Sequence, residues 1–359
     1  MSFNYRRIII KVGSNVITKP NGLPDTERIS HLVDQIAAIK KQGIQVILVS
    51  SGAVASGRSL ITVTDKYDAV ATRQLLASIG QVKLINTYAN LFEKFKILCS
   101  QVLVTKEDFR DRLHYLNMRN CLELLLQHEV IPVVNENDVV SVTELMFTDN
   151  DELAGLIASM LNAQALIVLT NVNGIYDGDP KLEVSKVIEE VTGDGIDFAS
   201  FVSSGRSQFG RGGMITKSNI AHKVAQLGIA VHIANGTKDN IVTDVLENRA
   251  THTRFVPTKK ASGKKKWIAH SETAATGVVQ VNEGAKTVLL SSKASSLLPI
   301  GIINVLEEFK KGEIIKIVDE NNKLIGLGLA EYGAEKAREF TGKKNQRALV
   351  HYDYLYLQG

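Results

Sequence analysis

Two regimes of apolar patterning divide this chain. Over residues 1–250, short aliphatic runs alternate with long segments of helical period. Arg7 to Gly13, Ile44 to Val49, a run within Lys96 to Thr105, Val130 to Val134, Gln164 to Thr170 and Ile229 to Ala234 read as buried strands. Ile29, Leu32, Val33, Ile36 and Ala37 share one helical face that begins after Pro24-Asp25 and stops near Gly43. Further helices are expected over Tyr67 to Phe95 with a break around Gly80, over Lys106 to His128, and over Asn240 to Asn248. Leu153, Leu156, Ile157, Met160 and Leu161 mark another, as do Ile220, Ala221, Val224 and Ala225. Strand, helix, strand at this spacing is a parallel crossover unit, so an α/β fold with an open, mainly parallel sheet is expected.

From Trp267 onward the long helical periods give way to short β-type runs: Thr276 to Val281, Ile300 to Val305, Glu313 to Val318, Leu324 to Leu329 and Leu349 to Leu357. Asn321-Asn322 between two of them signals a hairpin, and a small β-barrel-like domain is the natural inference. Lys259-Lys260 and Lys264-Lys265-Lys266 flank Ser262-Gly263, which reads as a linker over 251–266. The expected domains are therefore 1–250 and 267–359.

Composition narrows the class without deciding it. A length of 359 residues favours two domains, and 44% hydrophobic with 22% charged residues describes an ordinary globular protein. The net charge of +4 is small for this length and argues neither for nor against a polyanionic partner. Cys99 and Cys121 have no metal-ligand spacing and are expected to be reduced and buried. No apolar run suits a signal peptide or a membrane span, so a cytoplasmic enzyme with no membrane partner is expected.

Polar residues gather where the strands end. Lys11 closes the first apolar run and is followed by Gly13-Ser14. The lysine either points to solvent or supplies a cation at the ligand edge, where the glycine lets backbone approach phosphate. The second run ends in Ser50-Ser51-Gly52-Ala53, the fourth in Asn135-Glu136-Asn137-Asp138. Asp149-Asn150-Asp151-Glu152 then opens a helix, where negative charge is favoured and an N-cap is needed. Ligands of open α/β sheets bind at the carboxyl ends of strands, so the two acidic clusters bracketing one loop point to a site. Thr170 to Tyr176 is either a shelf for a nucleotide base or a plain turn with Tyr176 over the core. Gly205 to Gly210 has the spacing of a phosphate-binding Walker loop but lacks its Lys and Ser/Thr, and is rejected as one. Arg211-Gly212-Gly213-Met214-Ile215-Thr216-Lys217 instead opens a helix with Lys217 on its inward stripe. A lysine there opposes the helix dipole unless an anion is near, and a phosphate is the simplest candidate.

Taken together, Lys11-Val12-Gly13-Ser14, Ser50-Ser51-Gly52-Ala53, Asn135-Glu136-Asn137-Asp138, Asp149-Asn150-Asp151 and Gly212-Gly213-Met214 to Lys217 resemble the glutamate 5-kinases of the amino acid kinase superfamily. Residues 267–357, with Ser295 to Gly301 and Lys311-Gly312-Glu313, resemble the PUA domain. The resemblance implies a three-layer αβα sandwich over 1–250, a PUA domain over 267–359, and ATP-dependent phosphorylation of the γ-carboxylate of L-glutamate toward proline. It implies that Lys11 and Lys217 contact the transferring phosphoryl group and that Asp151 holds both. It assigns glutamate to Ser51, Asn135, Asp138 and Asn150, phosphate to Gly13, Ser14 and Gly52, and ATP to Lys11, Thr170, Asn171 and Arg211 to Lys217. Mg²⁺ is expected to bridge phosphates with mostly water ligands, with no protein metal site. The resemblance also implies a homo-oligomer, and feedback inhibition by proline involving the loop Val139 to Thr148. The runner-up within the superfamily is a kinase of another small acid, acetylglutamate or aspartate. The rival of a different class is an RNA-binding protein acting through the PUA-like tail and the lysines at 259–266, to which a solvated linker is the preferred alternative. The chain departs from the family at Thr170-Asn171, where members carry Thr-Asp.

Overall fold

The computed structural model describes residues 5–63, 67–140, 147, 149–180, 182, 184–192, 213–258, 263–269, 272, 275–291 and 295–357. It divides into two compact units, Met1–Lys260 and Ala261–Gly359.

In the first unit β1 (Arg7–Val12), β2 (Gln45–Ser50), β3 (Cys99–Val104), β4 (Ile131–Glu136), β5 (Ala165–Thr170), β6 (Glu190–Val191), β7 (Ala230–Asn235) and β8 (Thr253–Phe255) form one sheet. Its order is β3-β4-β2-β1-β5-β7-β8-β6. Every pair is parallel except β7 with β8. Seven helices of this unit matter below: α1 (Thr26–Lys40), α2 (Ala53–Arg58), α3 (Ala69–Glu93), α4 (Arg112–Gln127), α5 (Asn150–Met160), α6 (Met214–Gln226) and α7 (Ile241–Leu246).

Side-chain alternation along β1 sorts the layers. Ile8, Ile10 and Val12 enter one core with Ile29, Val33 and Ile36 of α1, Leu84, Tyr88 and Phe92 of α3, and Val242 of α7. Ile9 and Lys11 therefore face the other side, where α5 packs on β1 and on α6. The chain leaves β1 toward β2 and leaves β5 toward β7, so the strand order reverses between β1 and β5. Ligands of open α/β sheets bind at such a switch point.

Two expectations about helices need correction. Helix α3 runs unbroken through Gly80, because that glycine makes a close approach to α2 rather than a break: a Cβ there would lie 1.9 Å from the carbonyl oxygen of Ala53. The segment Lys106 to His128 is two helices, a turn at Glu107–Arg110 and then α4. Asp111 separates them by adopting extended backbone and accepting a hydrogen bond from His114 N at 2.8 Å.

The second unit holds β9 (Gly277–Val281), β10 (Ile302–Val305), β11 (Ile314–Val318), β12 (Leu324–Leu329) and β13 (Leu355–Leu357) in the order β10-β9-β11-β12-β13. The hairpin between β11 and β12 turns on Asn322, whose φ of 60° lies in the left-handed region that asparagine tolerates. The expected strand Leu349 to Leu357 is only β13, preceded by a 3₁₀ turn over Tyr352–Tyr354. The linker expected at 251–266 is also shorter than its composition suggests. Thr253–Phe255 is β8 with Phe255 fully buried, and Gly263–Ala269 is helical with Lys266, Trp267 and Ile268 buried. Lysine content alone misses that Lys266 is buried together with its apolar neighbours Trp267 and Ile268. Cys99 is half-buried and Cys121 exposed, both as thiols, because α4 turns Cys121 outward. Among the described residues no helix is long and apolar enough to cross a membrane.

Candidate active site

Strand β1 delivers Lys11 to the face covered by α5, and only 4% of that residue is exposed. A buried ammonium needs a counter-ion. Lys11 Nζ finds one in Asp151 Oδ1 at 2.6 Å, and Asp151 is itself 1% exposed. The other oxygen of Asp151 bonds Lys217 Nζ from the first turn of α6. Lys217 also lies 3.5 Å from Asp149 Oδ2. One carboxylate thus spans two ammonium groups from distant parts of the chain.

The start of α5 explains why Asp151 stands where it does. Asp149 is the N-cap: its Oδ1 accepts from Asp151 N at 2.8 Å and Glu152 N at 3.2 Å. Asp151 therefore sits in the first turn, where the helix dipole favours its charge. Burial pushes its carboxyl pKa up, but the Lys11 and Lys217 ammonium groups outweigh burial and hold it below the ordinary carboxylate range. Burial likewise works against the Lys217 ammonium, and Asp151 and Asp149 outweigh it and raise the Lys217 pKa. Asp149 shifts the other way, raised by burial and by the Asp151 charge beside it. The cluster thus brings two carboxyl side chains and two lysines together.

A second polar group lies at the ends of β2 and β4. Asn150 Nδ2 donates to Ser51 Oγ at 2.8 Å and to Asn135 Oδ1 at 3.0 Å. Asn135 Nδ2 in turn donates to Gln81 Oε1 at 3.0 Å. The two serines after β2 divide their work: Ser50 is buried on Tyr88 Oη at 2.8 Å, while Ser51 turns to Asn150. Asp138 meets Arg73, whose Nε donates to Asp138 Oδ1 at 2.9 Å and whose Nη2 reaches Glu136 Oε2 at 3.2 Å. Glu136 Oε1 accepts from Phe147 N at 3.0 Å.

The glycine loops frame the lysines. Gly13 N donates to Leu169 O at 3.3 Å, tying the end of β1 to β5 at the switch point. A Cβ on Gly13 would stand 3.5 Å from Lys11 Nζ, so glycine keeps open the space beside that ammonium. Ser14 is exposed and begins a helical turn over Ser14–Ile17. Gly52 has φ 109° and caps α2, a conformation open to glycine. Gly213 caps α6 with no side-chain bond to the first turn, and a Cβ there would meet nothing within 4 Å. Met214 and Thr216 are half-buried and Ile215 is 39% exposed. Thr170 ends β5 and donates from Oγ1 to Asn171 Oδ1 at 3.3 Å. Tyr176 Oη accepts from Asn173 Nδ2 at 3.2 Å. Arg211 and Gly212, the rejected Walker-like run Gly205 to Gly210, and residues 141–146 and 148 of the loop after Asp138 lie outside the described residues.

Comparison with known proteins adds an independent line. The sequence pattern of the amino acid kinase family matches residues 6–235, and that of the PUA domain matches residues 277–351. The chain belongs to the amino acid kinase family. Its relatives include a glutamate 5-kinase of Bacteroides thetaiotaomicron, 51% identical with the full length of both chains covered. Another is the glutamate 5-kinase of Chlorobaculum tepidum, 50% identical over 98% of each chain. Among solved structures, the carbamate kinase of Giardia lamblia bound to AMP-PNP shares the fold, with a TM-score of 0.51 and 19% identity. It covers 71% of this chain and 99% of that one. As a kinase of this family the chain uses ATP.

Two residues of this candidate site escape a reading of strand ends alone: Arg73 and Gln81. Arg73, Ala77 and Gln81 lie at helical spacing on α3, so a polar-apolar-polar stripe is their one sequence signal. Asp149 looks like an ordinary N-cap, and its second oxygen faces Lys217 only because α6 docks there. The acidic groups suit no protein-held metal cage. Asp149 and Asp151 are engaged by the lysines, and the described residues include no cluster of His, Cys, Asp or Glu arranged around a metal-sized gap.

Proposed function

We propose that the chain transfers the γ-phosphoryl group of ATP to the γ-carboxylate of L-glutamate. The observation that carries this reading is the single carboxylate of Asp151 spanning Lys11 and Lys217, beside the Ser51–Asn150–Asn135 amide cluster. Phosphoryl transfer needs positioning and charge neutralisation more than covalent help. A γ-carboxylate oxygen attacks phosphorus, the bond to the β–γ bridging oxygen breaks, and ADP leaves with that electron pair. The acceptor is already ionised at neutral pH, so no general base is required.

Within this reading Lys11 and Lys217 neutralise the charge that spreads over the transferring oxygens, and Asp151 fixes the distance between them. Gly13, Ser14 and Gly52 offer backbone close to the phosphates, and the bare first turn of α6 after Gly213 accepts an anion in the manner of helix N-termini. Thr170, Asn171 and Arg211 to Lys217 hold the nucleotide. Ser51, Asn135, Asn150 and Asp138 hold glutamate, Asp138 by opposing its α-ammonium. Mg²⁺ enters with ATP as part of that substrate and offsets phosphate charge. Residues 1–250 carry this chemistry, and proline, which shares the α-amino acid end of glutamate, competes for the same groups.

The test is hydroxamate formation from glutamate, ATP, Mg²⁺ and hydroxylamine by the purified full-length chain, with acetylglutamate and aspartate as competitors. The expected result is ATP-dependent hydroxamate from glutamate in preference to the others. A folded protein that yields none, or that prefers another acid, contradicts the reading.

A further inference from the structure

Helix α3 clamps the end of β4 with three polar side chains. Gln81 Oε1 accepts from Asn135, Gln74 Nε2 donates to Val139 O at 2.8 Å, and Arg73 bonds both Glu136 and Asp138. Glutamine and asparagine can orient a loop, but a guanidinium on two carboxylates is a costlier choice for that task alone.

The exposure is unequal in a telling way. The Arg73 side chain is 41% exposed, whereas those of Glu136 and Asp138 are 6% and 9%. In this ion pair the anions are dry and the cation is wet. A solute entering from solvent therefore meets the guanidinium before it meets the carboxylates. Arg73 Nε and Nη2 both donate to the one oxygen Oδ1 of Asp138, at 2.9 and 2.5 Å, which holds the guanidinium beside that carboxylate. The planar fork of arginine matches carboxylate geometry.

We propose that Arg73 is a specificity residue that binds the α-carboxylate of the amino acid acceptor while Asp138 binds its α-ammonium. The acceptor's zwitterionic end adds its two charges to the Arg73–Asp138 pair, each beside its opposite. Both charges of the α-amino acid end are then recognised on opposite charges held a hydrogen bond apart, and the γ-carboxylate is left to reach the lysine pair. An acid lacking either α-charge leaves one member of the protein pair facing a neutral group. This inference rests on the glutamate kinase reading above.

The experiment compares L-glutamate with its α-amide, which keeps the α-ammonium and the γ-carboxylate but has no α-charge of opposite sign. Wild type, Arg73→Lys and Arg73→Met are assayed by hydroxamate formation at varied acceptor concentration, with thermal unfolding recorded for each. Wild type is expected to favour glutamate over the α-amide by at least about a hundredfold in kcat/KM, because a site built to pair a substrate group discriminates against an analogue that lacks it. Arg73→Met is expected to raise KM for glutamate at least about tenfold while kcat and KM for ATP stay within about threefold, and to collapse the discrimination to below about tenfold. Arg73→Lys is expected to recover part of it. A merely structural role would lower Tm and activity toward both acceptors together and leave their ratio unchanged, and that result overturns the proposal. Should Arg73→Met fail to fold, the ratio in Arg73→Lys decides, and a wild-type ratio there also overturns it. A wild type that phosphorylates neither acceptor removes the glutamate reading and this inference with it, whereas an active wild type with unchanged discrimination in the variants removes the inference alone.

Discussion

Gly80 sits so close to Ala53 that a Cβ on the glycine would lie 1.9 Å from the alanine's carbonyl oxygen. Gly57 makes the reciprocal approach, with a Cβ there falling 2.0 Å from Leu76 O. Backbone cannot yield as a side chain can. Helices α2 and α3 are therefore locked together by two glycines, one on each. Since α2 begins directly after Ser51-Gly52 and α3 carries Arg73 and Gln81, the lock aligns the amide cluster with the guanidinium.

Gly80→Ala is expected to cost about 1–3 kcal/mol through overpacking and to raise KM for glutamate more than KM for ATP. Thermal unfolding together with steady-state kinetics checks this. A variant of wild-type stability would mean that the helices can part without loss.

Asp149 has two separable jobs, capping α5 and facing Lys217. Asp149→Asn retains a capping oxygen and loses the charge, so stability should change by less than about 0.5 kcal/mol while kcat falls about tenfold, equivalent to about 1.4 kcal/mol. Asp149→Ala loses the cap as well and should be less stable than the asparagine variant by about 1 kcal/mol. Equal kcat in Asp149→Asn and wild type would confine Asp149 to capping.

Away from the site, His232 is buried between Tyr5 Oη at 3.2 Å and His252 Nε2 at 2.9 Å. Burial first, then His252 and Arg254, lower its pKa from 6.5 to about 3. Between these values the unfolded chain binds a proton that the folded chain does not, so stability falls as pH drops from 6.5 toward 3 and gains no slope from this group above 6.5. His232→Gln should flatten that limb by up to one proton, at most about 1.4 kcal/mol per pH unit. Urea unfolding midpoints between pH 4.5 and 7 test it, and parallel pH dependences in the two proteins would refute it.

Much of this architecture is readable from the chain because period and punctuation agree. Each β run expected in the first unit ends at polar residues or a glycine, as Val12 to Gly13 and Thr170 to Asn171 illustrate, whereas the short strands β6 and β8 are not among those runs. Lys11 was ambiguous by position alone. Its burial follows from strand alternation only once the partner layer is known, since either face of a central strand can be covered. Arg73 and Gln81 were not legible, because polar residues on a long helix ordinarily mark its solvent face. Their inward direction depends on a neighbouring strand end from a distant part of the sequence. Gly80 misled for a related reason: glycine weakens an isolated helix but permits close packing, and tertiary contact won. The basic run at 259–266 misled through composition, since Lys266 is buried beside Trp267 despite its surface-like neighbours.

The claim on which the mechanism turns is that Lys11 and Lys217, spaced by Asp151, act on the phosphoryl group in flight and not on ground-state binding. The most direct measurement is kcat of Lys217→Met at saturating glutamate and MgATP, taken beside the Kd of MgATP for the same folded variant. The expected result is a fall in kcat of about 10²–10³-fold with Kd changed by no more than about fivefold. A kcat within about threefold of wild type, or a loss that appears wholly in Kd, would contradict it.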